Sequence, residues 1–224
     1  MKLKLSGNAL KLLALLFMTV DHLGLMLFPQ ELLFRCIGRL AMPIFAYMIA
    51  EGCRHTKSKG RYLLRLAAVA VVCQLVYFFA LRDLLQCIFV TFSMSIALIW
   101  LFEAGQNRGG MGWLYLAPGI FAAWFICRVL PDCIPGFAVD YSIFGVLLPV
   151  FVYLGQNPMQ RISYLAVGLV LLCLDCGGIQ WLSLLSIPLL LLYDGSRGKA
   201  RLKYFFYLYY PAHLVVIWLL AMFL

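Results

Sequence analysis

Long apolar runs separated by short polar connections divide the 224-residue chain from end to end. Hydropathy predicts about nine spans, at 9–28, 33–52, 62–81, 88–104, 113–130, 141–155, 162–175, 179–193 and 204–223. A run of about 20 apolar residues, rising about 1.5 Å per residue as a helix, crosses a hydrocarbon core of about 30 Å. The sixth to eighth runs are short for this, which leaves room for a re-entrant segment. The pattern predicts an all-α fold: a polytopic integral membrane helical bundle forming one domain, residues 1–224, without a soluble module, linker or clear internal repeat.

Composition supports that class. Hydrophobic residues make up 65% of the chain and charged residues 12%, about half the usual share for soluble domains. The net charge of +9 does not point to nucleic acid, because the bases cluster in short loops between apolar runs, as juxtamembrane anchors do. Lys2, Lys4, Lys11, Arg54, Lys57, Lys59, Arg61, Arg65, Arg108, Arg161, Arg197, Lys199, Arg201 and Lys203 fall on one side of the alternating spans. Arg35, Arg39, Arg82 and Arg128 fall on the other or in outer helix halves. The positive-inside rule therefore predicts a cytoplasmic N-terminus, and the odd span count an extracytoplasmic C-terminus. The first run is too long for a signal peptide and has no small-residue cleavage site, so it is expected to remain as the first span.

Polar positions inside the spans are costly and change the picture more than the charge total. Asp21 and His22 interrupt the first span near mid-depth, where the default reading of an ionisable residue is a functional site. Lys11 precedes His22 by eleven residues, about three helical turns, which places the two on one face roughly 16 Å apart. That spacing suits a long anionic donor held at its head and used at its tail. Asp21 and His22 diverge by about 100°, so any carboxylate or hydroxyl partner of His22 must come from another span. Arg35 and Arg39 share a face of the second span, and an Asp21–Arg39 pair would neutralise both charges within a helical hairpin. In the last span, Tyr210, Pro211 and His213 lie at a similar depth to His22, consistent with a shared polar cavity. His213 fits equally well as a group that bonds a freed carbonyl or a tyrosine and holds helices together.

The remaining candidates have simpler readings. Arg54, Lys57 and Lys59 in the 53–61 loop serve as topogenic charge against anionic lipid, and would equally suit a phosphate-bearing donor. Glu51 is expected to pair with a loop base, His55 to be solvated, and Asp140 and Asp175 to sit at solvated outer helix ends. Eight cysteines are scattered singly apart from Cys173 and Cys176; they read as packing residues, with a disulfide among Cys133, Cys173 and Cys176 left open. No zinc-spaced set, phosphate loop or nucleophile elbow is present, so no metal is predicted. The lack of a credible serine or cysteine nucleophile favours direct transfer aided by a general base.

Several segments resemble the TraX family in order along the chain: Leu5 to Lys11, Met18 to Gly24, Gly38 to Tyr47, Arg54 to Thr56, and Tyr209 to Leu214. The resemblance implies a bacterial inner-membrane protein linked to acetylation of a pilin N-terminus. It also implies a distant likeness to integral-membrane acyltransferases, which carry an Arg or Lys, ten residues, then a catalytic His. Lys11 and His22 fit that spacing. The expected activity is transfer of an acetyl or other acyl group from cytoplasmic acyl-CoA to an amine or hydroxyl reached from the outer side. His22 is the expected base, and Arg39 or Arg35 the expected stabiliser of developing negative charge. Lys11, Arg54, Lys57 and Lys59 are the expected donor-binding groups. A proton-coupled or small-solute transporter is the alternative, since midplane Asp, His and Arg also mark proton relays. It lacks the paired, broken spans expected of transporter halves. A non-catalytic membrane scaffold would leave the costly His22 unexplained.

Overall fold

The computed structural model describes residues 4–81, 84–200 and 202–223. Lys2, Arg82, Arg201 and Leu224, which enter the topology argument, lie outside the described residues. Helices form at all nine predicted segments. They are α1 (Gly7–Met26), α2 with α3 (Leu32–Gly38 and Ala41–His55), α4 (Lys59–Leu81), α5 (Ile88–Gln106), α6 (Gly112–Trp124) continued through a π-turn into α7 (Leu130–Cys133), α8 (Ser142–Leu154), α9 (Pro158–Cys176), a 3₁₀ segment (Gly178–Leu185) running into α10 (Ser186–Leu191), and α11 (Lys203–Phe223). Seven of these are long and apolar enough to cross a membrane, whereas Ser142–Leu154 and Gly178–Leu191 are shorter. The chain is a helical membrane protein, and its only strands among the described residues, Leu85–Gln86 and Ala138–Val139, make one short parallel pairing.

Local sequence explains where the helices begin and bend. Ser6 caps α1 by accepting the Ala9 N–H, and Asn157 caps α9 from the Gln160 N–H with Pro158 in the first turn. The second span is broken at Arg39–Leu40. Gly38 beside that break is required by close approach: a Cβ there would stand 2.0 Å from Asp21 Oδ1.

The bundle centres on α3, which packs against α1, α5 and α8, with α5 against α8, while α11 closes against α1 and α4. Leu10, Ile44, Tyr47, Ile96, Ile99 and Leu148 are fully buried at its centre. Leu64, Phe79, Leu114, Phe121, Val167 and Leu208 stay exposed on its outside, the surface expected of a bundle solvated by lipid tails. Hydroxyls stitch α5 to its neighbour: Thr91 Oγ1 donates to the Asp140 carbonyl at 2.8 Å and Ser95 Oγ to the Val146 carbonyl at 2.7 Å. Asp140 is only partly exposed, contrary to a freely solvated helix end, and burial pushes its carboxyl up to about 7 despite the opposing field of Arg39. The eight cysteines are free thiols, including Cys133, Cys173 and Cys176; the Cys173 thiol donates to the Gln180 carbonyl.

Candidate functional site

A large cavity follows one stripe of α1. Gly7, Lys11, Leu15 and Met18 line it, each three or four residues after the last, as a single helix face requires. Its volume is about 530 Å³, within the range of small-molecule sites. Lys11, Arg65 and Arg197 give one end a cationic lining, with Glu51 and His55 also on the wall, and Phe45, Phe89, Phe92, Ile88 and Met18 make the depth apolar. Lys11 also lies over the Phe206 ring, 5.6 Å from its centroid.

His22 is the next residue of that stripe, yet it does not line the cavity. Tyr210 does, and its ring stands edge-on to His22 with centroids 5.9 Å apart and edge-on to Phe89 at 4.7 Å. His22 instead borders a separate cleft of about 40 Å³ between α1, α4 and α11, formed with Leu25, Met26, Tyr77, Leu214 and Trp218 among others. The shared polar cavity expected for the two histidines is therefore replaced by direct contact. His22 Nδ1 and His213 Nε2 are 2.8 Å apart, and His213 Nδ1 lies 3.0 Å from the Tyr209 carbonyl. The partner of His22 does come from another span, but it is an imidazole rather than a carboxylate or hydroxyl. Tyr209 stacks on His213 and shares a hydrogen bond of 2.8 Å with the Thr19 hydroxyl, anchoring this part of α11 to α1.

Asp21 faces a different set of residues. It pairs with Arg39 at 3.0 Å, as the hairpin reading requires, and also with Arg35 at 2.5 Å. Arg39 is further engaged by Gln180 Oε1 and the Arg35 carbonyl, and its guanidinium lies over the Tyr141 ring. Among the described residues neither arginine hydrogen-bonds to His22; through Asp21 and Gln180, Arg39 ties α1 to the 3₁₀ segment.

The predicted donor-binding bases separate in the same way. Lys11 lines the cavity. Arg54 turns away to the end of α8, where its Nη2 donates to the carbonyls of Tyr153 and Gly155, and it lies near Glu51. Those groups are the orphan carbonyls of a helix C-terminus, so Arg54 is a capping residue. Lys59 is bound to Glu103 at 2.6 Å, and Lys57 is exposed on the loop. Arg65 and Arg197, read from sequence only as topogenic charge, occupy the cavity in their place. The signal for Arg65 was its place on a helix a turn inside the loop; Arg197 carries none, because only the return of the 194–200 segment onto α1 brings it there. The Gly7 N–H bonds to the Ser196 carbonyl and the Asn8 N–H to the Arg197 carbonyl, which fixes that return. Glu51 is held by Arg161 at 2.8 Å, and no group of three His, Cys, Asp or Glu among the described residues is placed to hold a metal.

Similarity to known proteins agrees with this arrangement in scale. A probable fimbrial assembly protein, FimC of serogroup H1 from Dichelobacter nodosus, is 27% identical over 98% of this chain and 97% of its own. An uncharacterised protein from Rickettsia prowazekii is 53% identical over 40 residues, 18% of this chain and 16% of its own. No solved structure matches. Residues 6–221, nearly the whole bundle with its histidine pair and cavity, match the family described as TraX protein, and the chain belongs to the TraX family.

Proposed function

We propose that this protein is an integral-membrane acyltransferase of the bacterial plasma membrane, moving an acetyl or related acyl group from cytoplasmic acyl-CoA to an amine or hydroxyl presented from the outer side. One observation carries the reading: a cavity with a cationic end and an apolar depth runs along the α1 stripe whose next residue is His22. The residues fit such a donor. Lys11, Arg65 and Arg197 suit its phosphates, and the apolar depth suits its thioester arm. His22 takes the proton from the acceptor as it attacks the thioester carbonyl, and no covalent enzyme intermediate is needed. Tyr210 lines the cavity and stands edge-on to His22, which links the donor's end of the site to the histidine. Kinship with a fimbrial assembly protein supports a pilin-like N-terminal amine as acceptor.

The orientation belongs to the same proposal. With the N-terminus in the cytoplasm, the basic 53–61 and 194–203 loops and the cationic end of the cavity face acyl-CoA. Reporter fusions after Lys59 and at Leu224 are expected to give opposite signals; a shared compartment would overturn the odd span count. The activity itself is tested by incubating purified protein with radiolabelled acetyl-CoA and a peptide bearing a free N-terminus. Labelled peptide or released CoA is expected. Neither product from folded protein that binds acetyl-CoA would refute the reading.

A further inference from the structure

The hydrogen-bond chain across the two histidines has a direction, and it assigns a proton to each ring. The Tyr209 carbonyl only accepts, so the 3.0 Å contact places a hydrogen on His213 Nδ1. A neutral imidazole carries one N–H, which leaves His213 Nε2 with its lone pair. The contact at 2.8 Å then needs its hydrogen on His22 Nδ1. His22 Nε2 is left unprotonated, and no described group hydrogen-bonds to it. The other solution, a cationic His213 donating from both nitrogens, would leave an imidazolium in a membrane span with no carboxylate bonded to either ring among the described residues.

We infer that His213 is a positioning residue: it holds His22 in the Nδ1–H tautomer and so presents Nε2 as the base. This deepens the acyltransferase reading and rests on it. In the reaction, an acceptor amine attacks the thioester carbon; the new N–C bond forms, its proton passes to His22 Nε2, and the C–S bond breaks. His22 then returns that proton to the leaving sulfur, giving an amide and a free thiol. While His22 is cationic, its Nδ1–H remains bonded to His213 Nε2. Tyr210 stands edge-on to both rings, at 5.9 and 5.2 Å, and Tyr209 stacks on His213 at 5.3 Å, so two tyrosines hold the pair. The geometry does for His22 what a carboxylate does for histidine in hydrolytic triads, using a neutral acceptor that is far cheaper to bury in a membrane.

Two variants and one spectrum test this. His213→Leu fills the site without an acceptor and is expected to lower kcat about a hundredfold with the donor KM within about twofold. His213→Gln offers an amide oxygen to His22 Nδ1–H and is expected to recover kcat to within about tenfold of the parent. The chain has only three histidines, so ¹⁵N-histidine spectra of the protein in bilayers are assigned by His22→Gln and His55→Gln. Both His22 and His213 are expected with Nδ1 protonated and Nε2 bare. A protonated Nε2 on His22 would overturn the assignment whether or not the protein transfers acyl groups. Active wild type with an equally active His213→Leu would overturn the positioning role while leaving the acyltransferase reading intact. Inactive wild type with the expected spectrum would refute that reading and leave the tautomer assignment standing.

Discussion

Asp21 and His22 are neighbours in sequence and belong to two different machines. The 100° step between adjacent helical residues sends Asp21 toward α2 and the 3₁₀ segment, where Arg35, Arg39 and Gln180 gather around it. It sends His22 toward α11, where the bonded partner is another imidazole and one ring nitrogen stays free. The first face is closed: one carboxylate is held by two guanidiniums, and even the adjacent Gly38 is shaped to the carboxylate. The second is neutral and open to a cleft on one side, with a large cavity behind Tyr210 on the other. On the proposed reading, an intramembrane ionisable residue carries function by what its surroundings leave unsatisfied, not by its cost alone. Asp21 is the more highly charged of the two and reads as structure; His22 reads as chemistry.

Four substitutions sharpen that contrast. The largest effect is expected from His22→Gln, which keeps size and the bond to His213 but has no basic nitrogen; transfer should fall by about two to four orders of magnitude, with the unfolding midpoint in detergent little changed. Next is Asp21→Ala, which leaves two arginines without their carboxylate. A loss of about 3 kcal/mol of stability is expected, read as a lowered midpoint and poorer recovery of folded protein. Gly38→Ala forces a methyl group into the space held by Asp21 and should cost about 1–3 kcal/mol by the same measurement. The smallest effect is that of Lys11→Ala. A head-group contact made equally in ground and transition states should raise the donor KM severalfold and leave kcat nearly unchanged, with donor binding in the parent also weakening as salt is raised. An unchanged donor affinity would leave Lys11 as a membrane-surface anchor beside Phe206.

The nine helical segments were legible because hydropathy records the solvent directly: in lipid, backbone groups must be satisfied within each helix, so apolar length and helix coincide. The shared face of Lys11 and His22 was legible as a spacing of three turns on one helix. What the sequence did not show depends on contacts between distant segments. Nothing local marks Arg54 as the cap of a helix about a hundred residues later, or Arg197 as a cavity base; each is set by how α1, α3, α8 and the 194–200 segment meet. The break at Arg39–Leu40 was hidden because an apolar run reads alike whether straight or bent. The place of Tyr210 between the cavity and His22 follows from the seating of α11 against α1.

The central claim, that the His22 face performs acyl transfer while the Asp21 face holds the helices, is tested most directly by one assay on the neighbouring pair. Transfer of radiolabelled acetyl groups to a peptide amine is measured for wild type, Asp21→Asn and His22→Gln, each normalised to folded protein with acetyl-CoA bound. The account predicts that Asp21→Asn, though less stable, transfers within a few-fold of wild type per folded molecule, and that His22→Gln loses at least a hundredfold. Near-normal turnover by His22→Gln, or a larger loss in Asp21→Asn than in His22→Gln, would contradict it.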